Sequence, residues 1–215
     1  MKKLIAINGS PRKNWNTAQL LNKTIQGAQE AGAEAEIVNL YSLNFKGCTS
    51  YFACKIKNRE HGVCAMKDDL SPVLEKVKTA DAIIFGTPVY YMNFSAGMVA
   101  FIERFFFSNT IYSFEVPTVL PKKIPSAYFL TMNMNAEQFL YYKMDARLAS
   151  YTTFTKTILG ITPKVLCAYN TVQFKDYSRY ESSMFNPEEK FAYREEVFEG
   201  ICNQAYEIGR DLVSS

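Results

Sequence analysis

An apolar segment that stops at a polar, glycine-containing loop is the feature that most constrains how this chain can fold. Residues 4–7 predict a buried strand, residues 8–13 (NGSPRK) a loop, and the pattern from residue 16 onward a helix. This arrangement directs free backbone N–H groups and the positive end of a helix dipole toward one point, where a phosphate binds readily. The side chains that add hydroxyl, amide or guanidinium donors are Ser10, Arg12, Asn16 and Thr17. These donor types fit a phosphate monoester.

Composition limits the classes of protein to be considered. A chain of 215 residues with 48% hydrophobic and 21% charged residues is long enough to bury a large core. Its formal net charge of +3 includes no Lys/Arg run longer than two, which argues against a nucleic-acid partner. No apolar run approaches the roughly 18 residues that span a bilayer. The start of the sequence, Met1-Lys2-Lys3 followed at once by a predicted strand, lacks the small-residue cleavage site of a signal peptide. We therefore expect a cytoplasmic protein without a membrane partner, whose five cysteines are thiols or ligands.

Strand and helix patterns alternate along the chain. Apolar periodicity predicts strands at 34–40, 82–86, 126–132 and 164–169, and helices at 17–32, 69–79, 95–107, 136–159 and 187–213. A break of the 136–159 helix near residues 150–153 is left open. The alternation predicts an α/β protein with a parallel sheet covered on both faces, and such sheets bind ligands beyond the carboxyl ends of their strands. The loops of interest are therefore 9–16, 87–94 and 132–136.

The first loop matches neither common nucleotide motif. A dinucleotide fingerprint requires three glycines where only Gly9 is present, and a Walker loop requires glycine and lysine where the chain has Asn14 and Trp15. An ordinary turn between strand and helix remains the alternative to a phosphate site. Trp15 either covers a ligand or packs on the loop, and we favour packing.

The second loop has the chemistry of a surface for a planar ring. Pro88 stiffens the backbone, Tyr90 and Tyr91 offer flat faces, and the N–H groups of residues 90–93 can meet the edge of a heteroaromatic ring. A planar ring beside a phosphate monoester suggests a flavin mononucleotide. The alternative is a hydrophobic corner that leads into the 95–107 helix, with the tyrosines in the core.

Three ordered motifs carry a resemblance to a known family. They are residues 7–12 followed by Asn16-Thr17, the cysteines Cys48, Cys54 and Cys64 with residues 67–69, and residues 80–90 (ADAIIFGTPVY). With these motifs the chain resembles the NADPH-dependent FMN reductase family, and more narrowly the branch that includes the iron–sulfur flavoproteins. The resemblance covers about the first 105 residues. Beyond them it is supported only by the alternation of strands and helices.

The resemblance implies a flavodoxin-like three-layer α/β/α sandwich with a five-stranded parallel sheet of order 2-1-3-4-5. It also implies non-covalent FMN reduced by NADPH or NADH. The phosphate would be held by Ser10, Arg12, Asn16 and Thr17, and the isoalloxazine by Pro88, Val89, Tyr90, Tyr91 and Asn93. The family usually has glycine before the Asn-Thr pair, so Trp15 is a departure. We expect residues 1–215 to form one domain, with a cysteine loop near 46–68 and a C-terminal loop and helix near 170–213.

The cysteines argue against a metal centre. A four-iron cluster ordinarily takes four cysteine ligands, and Tyr51 stands where the resemblance to the iron–sulfur flavoproteins implies a further cysteine. His61 could complete a zinc site, but the spacing matches no common zinc motif. We therefore expect neither cluster nor metal, and these thiols either pack the loop or form a redox or metal sensor.

The resulting functional hypothesis is an FMN-dependent NAD(P)H oxidoreductase. Hydride passes from the nicotinamide to the flavin, and the electrons then pass to a small acceptor such as a quinone, free flavin, an azo or nitro compound, or a metal ion. No catalytic side chain is expected, because the cofactor carries the redox chemistry. The alternative is a flavodoxin-like electron carrier, although carriers generally present an acidic face and Arg12 and Lys13 make this loop basic.

The aromatic residues predict subunit contacts, and the third loop offers further ligand contacts. Phenylalanines and tyrosines are dense at 101–114 and 169–185, beyond what one small core needs, so we expect a homodimer or higher homo-oligomer that buries some of them. Asn133 and Asn135 follow the predicted fourth strand and are placed to contact a flavin or its substrate.

Overall fold

One sheet forms the frame of the protein, which is described here for residues 1–214 from a computed structural model. Its strands are β1 (Lys3–Asn8), β2 (Glu34–Asn39), β3 (Ala82–Tyr90), β4 (Asn93–Phe94), β5 (Ser126–Thr131) and β6 (Lys164–Ala168). The order is β2-β1-β3-β5-β6 with every neighbouring pair parallel. Counting the parallel strands alone, this is the expected flavodoxin-like order 2-1-3-4-5. The two-residue β4 pairs antiparallel with the end of β3 and was not predicted.

Within residues 1–214, seven α-helices connect and cover these strands. They are α1 (Asn16–Glu30), α2 (Leu70–Lys78), α3 (Ala96–Asn109), α4 (Ala136–Tyr141), α5 (Met144–Leu159), α6 (Pro187–Tyr193) and α7 (Glu199–Ser214). The stretch predicted as one helix over 136–159 is divided at Lys143, whose φ of 56° ends α4, and α5 continues unbroken through residues 150–153. Among the helices of the described chain, none combines the length and apolar character that crossing a bilayer requires.

The central strands β1, β3 and β5 are apolar on both faces because helices cover each face. Ile5 and Ile7 of β1 pack with the α3 and α5 side, whereas Leu4 and Ala6 pack with the α1 and α7 side. The same alternation of two clusters runs through β3 and β5. Continuous apolar strands are the expected result of two-sided burial in a parallel sheet. The carboxyl ends of β1, β3 and β5 consequently lie side by side, with Asn8 opposite Gly86 and Pro88 opposite Thr131.

Helices α1 and α7 approach each other closely on one face of the sheet. A side-chain carbon added to Gly209 would overlap the Thr24 carbonyl oxygen, and one added to Gly27 would overlap the Tyr206 carbonyl oxygen. The Thr24 hydroxyl also donates to the Ala205 carbonyl at 3.1 Å. These glycines therefore set the distance between the two helices.

Two glycines of α7 give a matched test of this contact. We expect Gly209→Ala to lower the free energy of unfolding by about 2 kcal/mol, because the methyl group must displace backbone. Gly200→Ala in the same helix meets no atom within 4 Å and should raise stability by about 0.5–1 kcal/mol through helix propensity. Urea unfolding of both variants measures the difference, and equal midpoints would contradict the close contact.

Candidate functional site

The loop after β1 is fixed to the end of β3 by backbone contacts. Gly9 N–H donates to the Gly86 carbonyl at 2.8 Å, and the Ser95 hydroxyl donates to the Gly9 carbonyl at 2.5 Å. A side-chain carbon on Gly9 would lie 2.9 Å from the Met98 Cβ atom, so the close approach requires glycine. The first and second predicted loops are therefore one connected structure.

The start of α1 has the features of an anion site. Trp15 occupies the N-cap position, and among the described residues no side chain caps this helix and no acidic residue lies in its first turn. Ser10 is buried, and its hydroxyl accepts from the Arg12 N–H at 3.2 Å. Unfilled N–H groups at a helix start, together with hydroxyl and guanidinium groups, favour a phosphate.

A segment from the C-terminal half of the chain lies across this loop. Trp15 Nε1 and Asn16 Nδ2 donate to the Val172 carbonyl at 3.0 and 2.9 Å, and Arg12 Nη1 donates to the Gln173 carbonyl at 2.6 Å. The Arg12 guanidinium also stacks 3.9 Å from the centre of the Trp15 ring. Trp15 thus packs on the loop and fastens residues 172–173 to it.

Arg194 contacts the same loop from the other side, and the sequence patterns did not predict this role. It begins a π-helical turn, Arg194–Phe198, that joins α6 to α7. Its guanidinium donates to Asn16 Oδ1 at 2.8 Å and to Gln19 Oε1 at 2.9 Å. The helical pattern over 187–213 contained no signal for this turn, although π-helical turns occur frequently at functional sites.

The side chains of all four predicted phosphate ligands bond protein groups, and those of Asn16 and Thr17 are the most fully used. Both ends of the Asn16 side-chain amide are bonded, and the Thr17 hydroxyl shares a 2.7 Å hydrogen bond with Thr131 of β5. The groups of this loop best placed to receive an anion are the backbone N–H groups at the start of α1, Ser10 and Arg12.

The second loop is a strained hairpin. Tyr91 and Met92 join β3 to β4 with φ values of 45° and 59°, the left-handed conformation that two-residue hairpin turns of this type demand. Such turns normally carry Asn or Gly, because a residue with a Cβ atom is disfavoured there by about 1–2 kcal/mol. Tyr91 is nevertheless fully exposed. Strain of this kind is concentrated at ligand sites.

Neighbouring residues support the hairpin. Tyr151 of α5 stacks on Phe94 with ring centres 4.0 Å apart and donates its hydroxyl proton to Asn93 Oδ1 at 3.2 Å. Pro88 is buried within β3, and Val89 is half-buried opposite Phe94. Of the five residues predicted for the ring, Tyr90 and Tyr91 are the exposed ones.

The two predicted halves of the site adjoin each other. Burial raises the pKa of the Tyr90 phenol, Tyr41 adds to that rise, and the nearby positive charge of Arg12 opposes it. A cavity of about 490 Å³ lies beside the hairpin, lined by Tyr41, Tyr90, Asn93 and Glu103 among others. A flat ligand with an anionic tail would meet both loops at this edge.

In the third loop, Asn135 caps a helix and Asn133 has an unpaired acceptor. Asn135 accepts from Gln138 N–H at 2.8 Å and forms a capping box at the start of α4, so its side chain is used structurally. Asn133 Oδ1 is buried and has no hydrogen-bond partner among the described residues. Lys190 donates to Asn170 Oδ1 at 2.7 Å nearby, and burial lowers the pKa of this amine. Asn133 therefore remains a candidate ligand contact.

The cysteine loop brings its three thiols to one place. Cys48, Cys54 and Cys64 line a single cavity of about 20 Å³, together with Tyr51. Over residues 1–214, no group of three or more His, Cys, Asp or Glu side chains is arranged to hold a metal ion. His61 lies in the same loop, with Nε2 3.1 Å from the Ile56 carbonyl oxygen.

Comparison with known proteins identifies a matching family and solved structures that share the fold. The family model described as NADPH-dependent FMN reductase matches residues 2–119, which contain the first loop, the cysteine loop and the hairpin. An iron–sulfur flavoprotein of Archaeoglobus fulgidus is 42% identical over 102 residues, which are 47% of this chain and 48% of the relative. The matching region thus spans about half the length of that relative.

Two solved structures share the fold over nearly the whole chain. One is an NAD(P)H:quinone oxidoreductase from Methanothermobacter marburgensis, with a TM-score of 0.69 and 18% identity over 99% of this chain and 98% of that one. The other is an FMN-dependent NADH-azoreductase from Bacillus anthracis in complex with FMN, with a TM-score of 0.65 and 13% identity over 99% and 100% of the two chains. At these identities the likeness shows the fold alone.

The strain at the hairpin can be measured by relieving it. Tyr91→Gly should raise the free energy of unfolding by about 0.5 kcal/mol, because glycine adopts a positive φ without steric penalty and the fully exposed ring contributes little burial. Tyr112→Gly is the control, since Tyr112 is also exposed but has no positive φ, and it should destabilise the protein. Urea unfolding that ranks the variants in the reverse order would contradict the strain.

Proposed function

Because the chain belongs to the NADPH-dependent FMN reductase family, we propose that it binds FMN and passes electrons from NADPH or NADH through it to a small acceptor. The observation that supports this most strongly is the meeting of the Arg12 loop and the Tyr90 hairpin at one edge of the sheet. The first loop has the donors that a phosphate needs, and the second has the exposed rings and backbone that a planar heterocycle needs.

The residues present fit FMN. The uncapped start of α1, the Ser10 hydroxyl and the Arg12 guanidinium form a donor set without a nearby acidic side chain in the first helical turn, which suits a dianionic phosphate. The buried, unpaired Asn133 Oδ1 is an acceptor at the same sheet edge, and a ring N–H of the flavin is a donor of matching chemistry. Asn16 and Thr17 act through their backbone N–H groups, since their side chains are bonded elsewhere.

The chain's own part in the reaction is positioning. Bound FMN supplies hydride acceptance and its onward transfer, so no acid or base side chain is required. Buried Pro88 and the β3–β4 pairing hold the hairpin backbone, whose N–H groups would donate to the ring edge and favour its reduced, anionic form. The exposed Tyr91 would provide a flat surface for a planar acceptor.

The acceptor class is a quinone, free flavin, an azo or nitro compound, or a metal ion. The solved structures of like fold are a quinone oxidoreductase and an azoreductase, which supports small acceptors without choosing among them. A carrier that shuttles electrons without using a nicotinamide is the alternative. The basic Arg12-Lys13 pair at the loop favours the enzyme, since carriers generally present acidic faces.

We also propose that the protein works as a single flavodoxin-like domain in a homodimer. An open groove of about 740 Å³ runs between α3 and α5, lined mainly by apolar side chains that include Phe107, Tyr112 and Phe154. Tyr112 and Phe154 are exposed beside it, as is Phe114 in the adjoining loop. Exposed aromatic clusters of this kind are typical of subunit contacts.

Anaerobic mixing tests the proposed reaction. The purified protein should show a flavin spectrum that bleaches when NADPH or NADH is added and returns when a quinone is supplied. Flavin that stays oxidised with both nucleotides but accepts electrons from dithionite would favour the carrier. Absence of flavin binding would overturn the whole proposal.

A charge substitution tests the phosphate site. Arg12→Ala should weaken FMN affinity by about tenfold to a hundredfold, because one charge-assisted contact contributes about 1.5–3 kcal/mol, while turnover at saturating FMN changes little. Lys13→Ala removes the adjacent exposed positive charge and serves as the control, with an expected change below about threefold. Fluorescence titration measures both affinities, and an unchanged affinity of Arg12→Ala would remove Arg12 from the site.

A further inference from the structure

The three cysteines of the 46–68 loop form a pocket that the flavin reaction does not use. Cys48, Cys54 and Cys64 face one cavity of about 20 Å³ whose other wall includes Arg104, Phe107 and Ser108 of α3. All three are free thiols, and Cys54 is buried while the other two are half-buried. A cavity of this size holds about one water-sized molecule.

Arg104 supplies an unused hydrogen-bond donor to this pocket. Its side chain is fully buried, and its Nη1 is paired with Asp68 at 2.5 Å and donates to the Lys46 carbonyl at 3.2 Å. Its Nε–H is buried and has no hydrogen-bond partner among the described residues. A buried donor without an acceptor is costly, by about 1–3 kcal/mol. Cys64 lies next to the guanidinium and, with Asp68, raises the pKa of Arg104 against the effect of burial.

The thiols also influence one another. Burial raises the pKa of Cys54, the adjacent Lys55 opposes this, and negative charge on Cys64 or Cys48 adds to the rise. Lys55 is itself fixed, because its amine donates to the Phe107 and Thr110 carbonyl groups at the edge of the pocket. The pocket thus places the thiols beside two cations, with Arg104 next to Cys64 and Lys55 next to Cys54. Cationic neighbours of this kind are typical of a reactive cysteine, and a second thiol in the same pocket can resolve its oxidised form.

A metal centre does not suit this pocket. The three thiols are not arranged to hold a metal ion within the described chain, and the cavity lining supplies no fourth cysteine, with Tyr51 among the other loop residues that line it. The unpaired Arg104 Nε–H favours an anionic partner rather than a cation.

We propose that this pocket is a peroxide-reactive dithiol site, in which Cys64 is oxidised by a small hydroperoxide and then forms a disulfide with Cys54. In the first step the Cys64 thiolate forms an S–O bond as the O–O bond breaks, and the leaving alkoxide or hydroxide takes a proton. In the second step the Cys54 sulfur forms the S–S bond as the S–O bond on Cys64 breaks, and the proton of the Cys54 thiol leaves with the hydroxide as water. Two thiols and one hydroperoxide give one disulfide, one alcohol or water, and one water.

Arg104 favours Cys64 as the thiol that is oxidised, and the cavity size favours hydrogen peroxide as the oxidant. The Nε–H can donate to the Cys64 sulfur and to the oxygen that leaves it, and the small size of the cavity favours hydrogen peroxide over bulkier hydroperoxides. Cys48 is the third thiol and is not required for the exchange. The inference goes beyond the proposed flavin reaction and does not depend on it.

Thiol chemistry on the full chain tests the proposal. The purified protein is reduced, desalted and treated in the dark with one equivalent of hydrogen peroxide, after which thiols are counted and peptides are mapped under non-reducing conditions. We expect two thiols to be lost per chain and a Cys54–Cys64 cross-linked peptide to appear. Cys54→Ser should leave a sulfenic acid on Cys64 that dimedone traps, and Cys64→Ser should abolish the cross-link. Cys167→Ser, outside the pocket, should behave as the unchanged protein.

The contribution of Arg104 is tested separately. Arg104→Lys keeps the charge beside Asp68 but removes Nε–H, and it should slow Cys64 oxidation about tenfold without changing the peptide that forms. If this variant does not fold, the cysteine variants decide the question alone. Oxidation that begins at Cys167 or Cys202, a cross-link that requires Cys48, or tight zinc or iron binding that protects all three thiols would overturn the proposal.

Discussion

The contact between the ends of β1 and β3 is the constraint on which the rest of the site depends. Gly9 N–H bonds to the Gly86 carbonyl, and Ser95, which caps α3, bonds back to the Gly9 carbonyl. These bonds join a loop suited to an anion and a hairpin suited to a planar ring into one unit. Glycine at position 9 is required because Met98 of α3 packs directly against it. The geometry of the candidate site therefore follows from backbone packing rather than from the side chains that would touch a ligand.

The C-terminal half of the chain completes that unit, although the family model ends at residue 119. The Val172 and Gln173 carbonyls accept hydrogen bonds from side chains of the first loop, and Arg194 in the π-helical turn donates to Asn16. The close packing of α1 on α7 then positions this turn. A loop whose conformation is fixed by these contacts needs little rearrangement of its backbone to receive a phosphate, which lowers the entropic cost of binding.

Much of this could be predicted from the sequence, and the exceptions have physical causes. The strands and the two loops follow from apolar runs and from residue types that act locally, such as the donors of residues 10–17, whereas the strand order was implied by the family resemblance. The role of Arg194 and the occupied side chain of Thr17 depend on contacts between residues more than 100 positions apart, which no local pattern encodes. The positive φ at Tyr91 was missed because tyrosine is rarely found in that conformation. Asn135 was predicted as a ligand contact but caps α4, a signal present in the sequence as Gln138 three residues later.

In the proposed site, the loop after β1 binds the phosphate of a flavin whose ring lies at the Tyr90 hairpin. Fluorescence titration of the flavin-free protein with FMN and with riboflavin tests it most directly, because the two ligands share the ring and differ only in the phosphate. We expect FMN to bind at least about a hundredfold more tightly, which corresponds to two or more charge-assisted contacts. Equal affinities, or no binding of either flavin, would contradict the account.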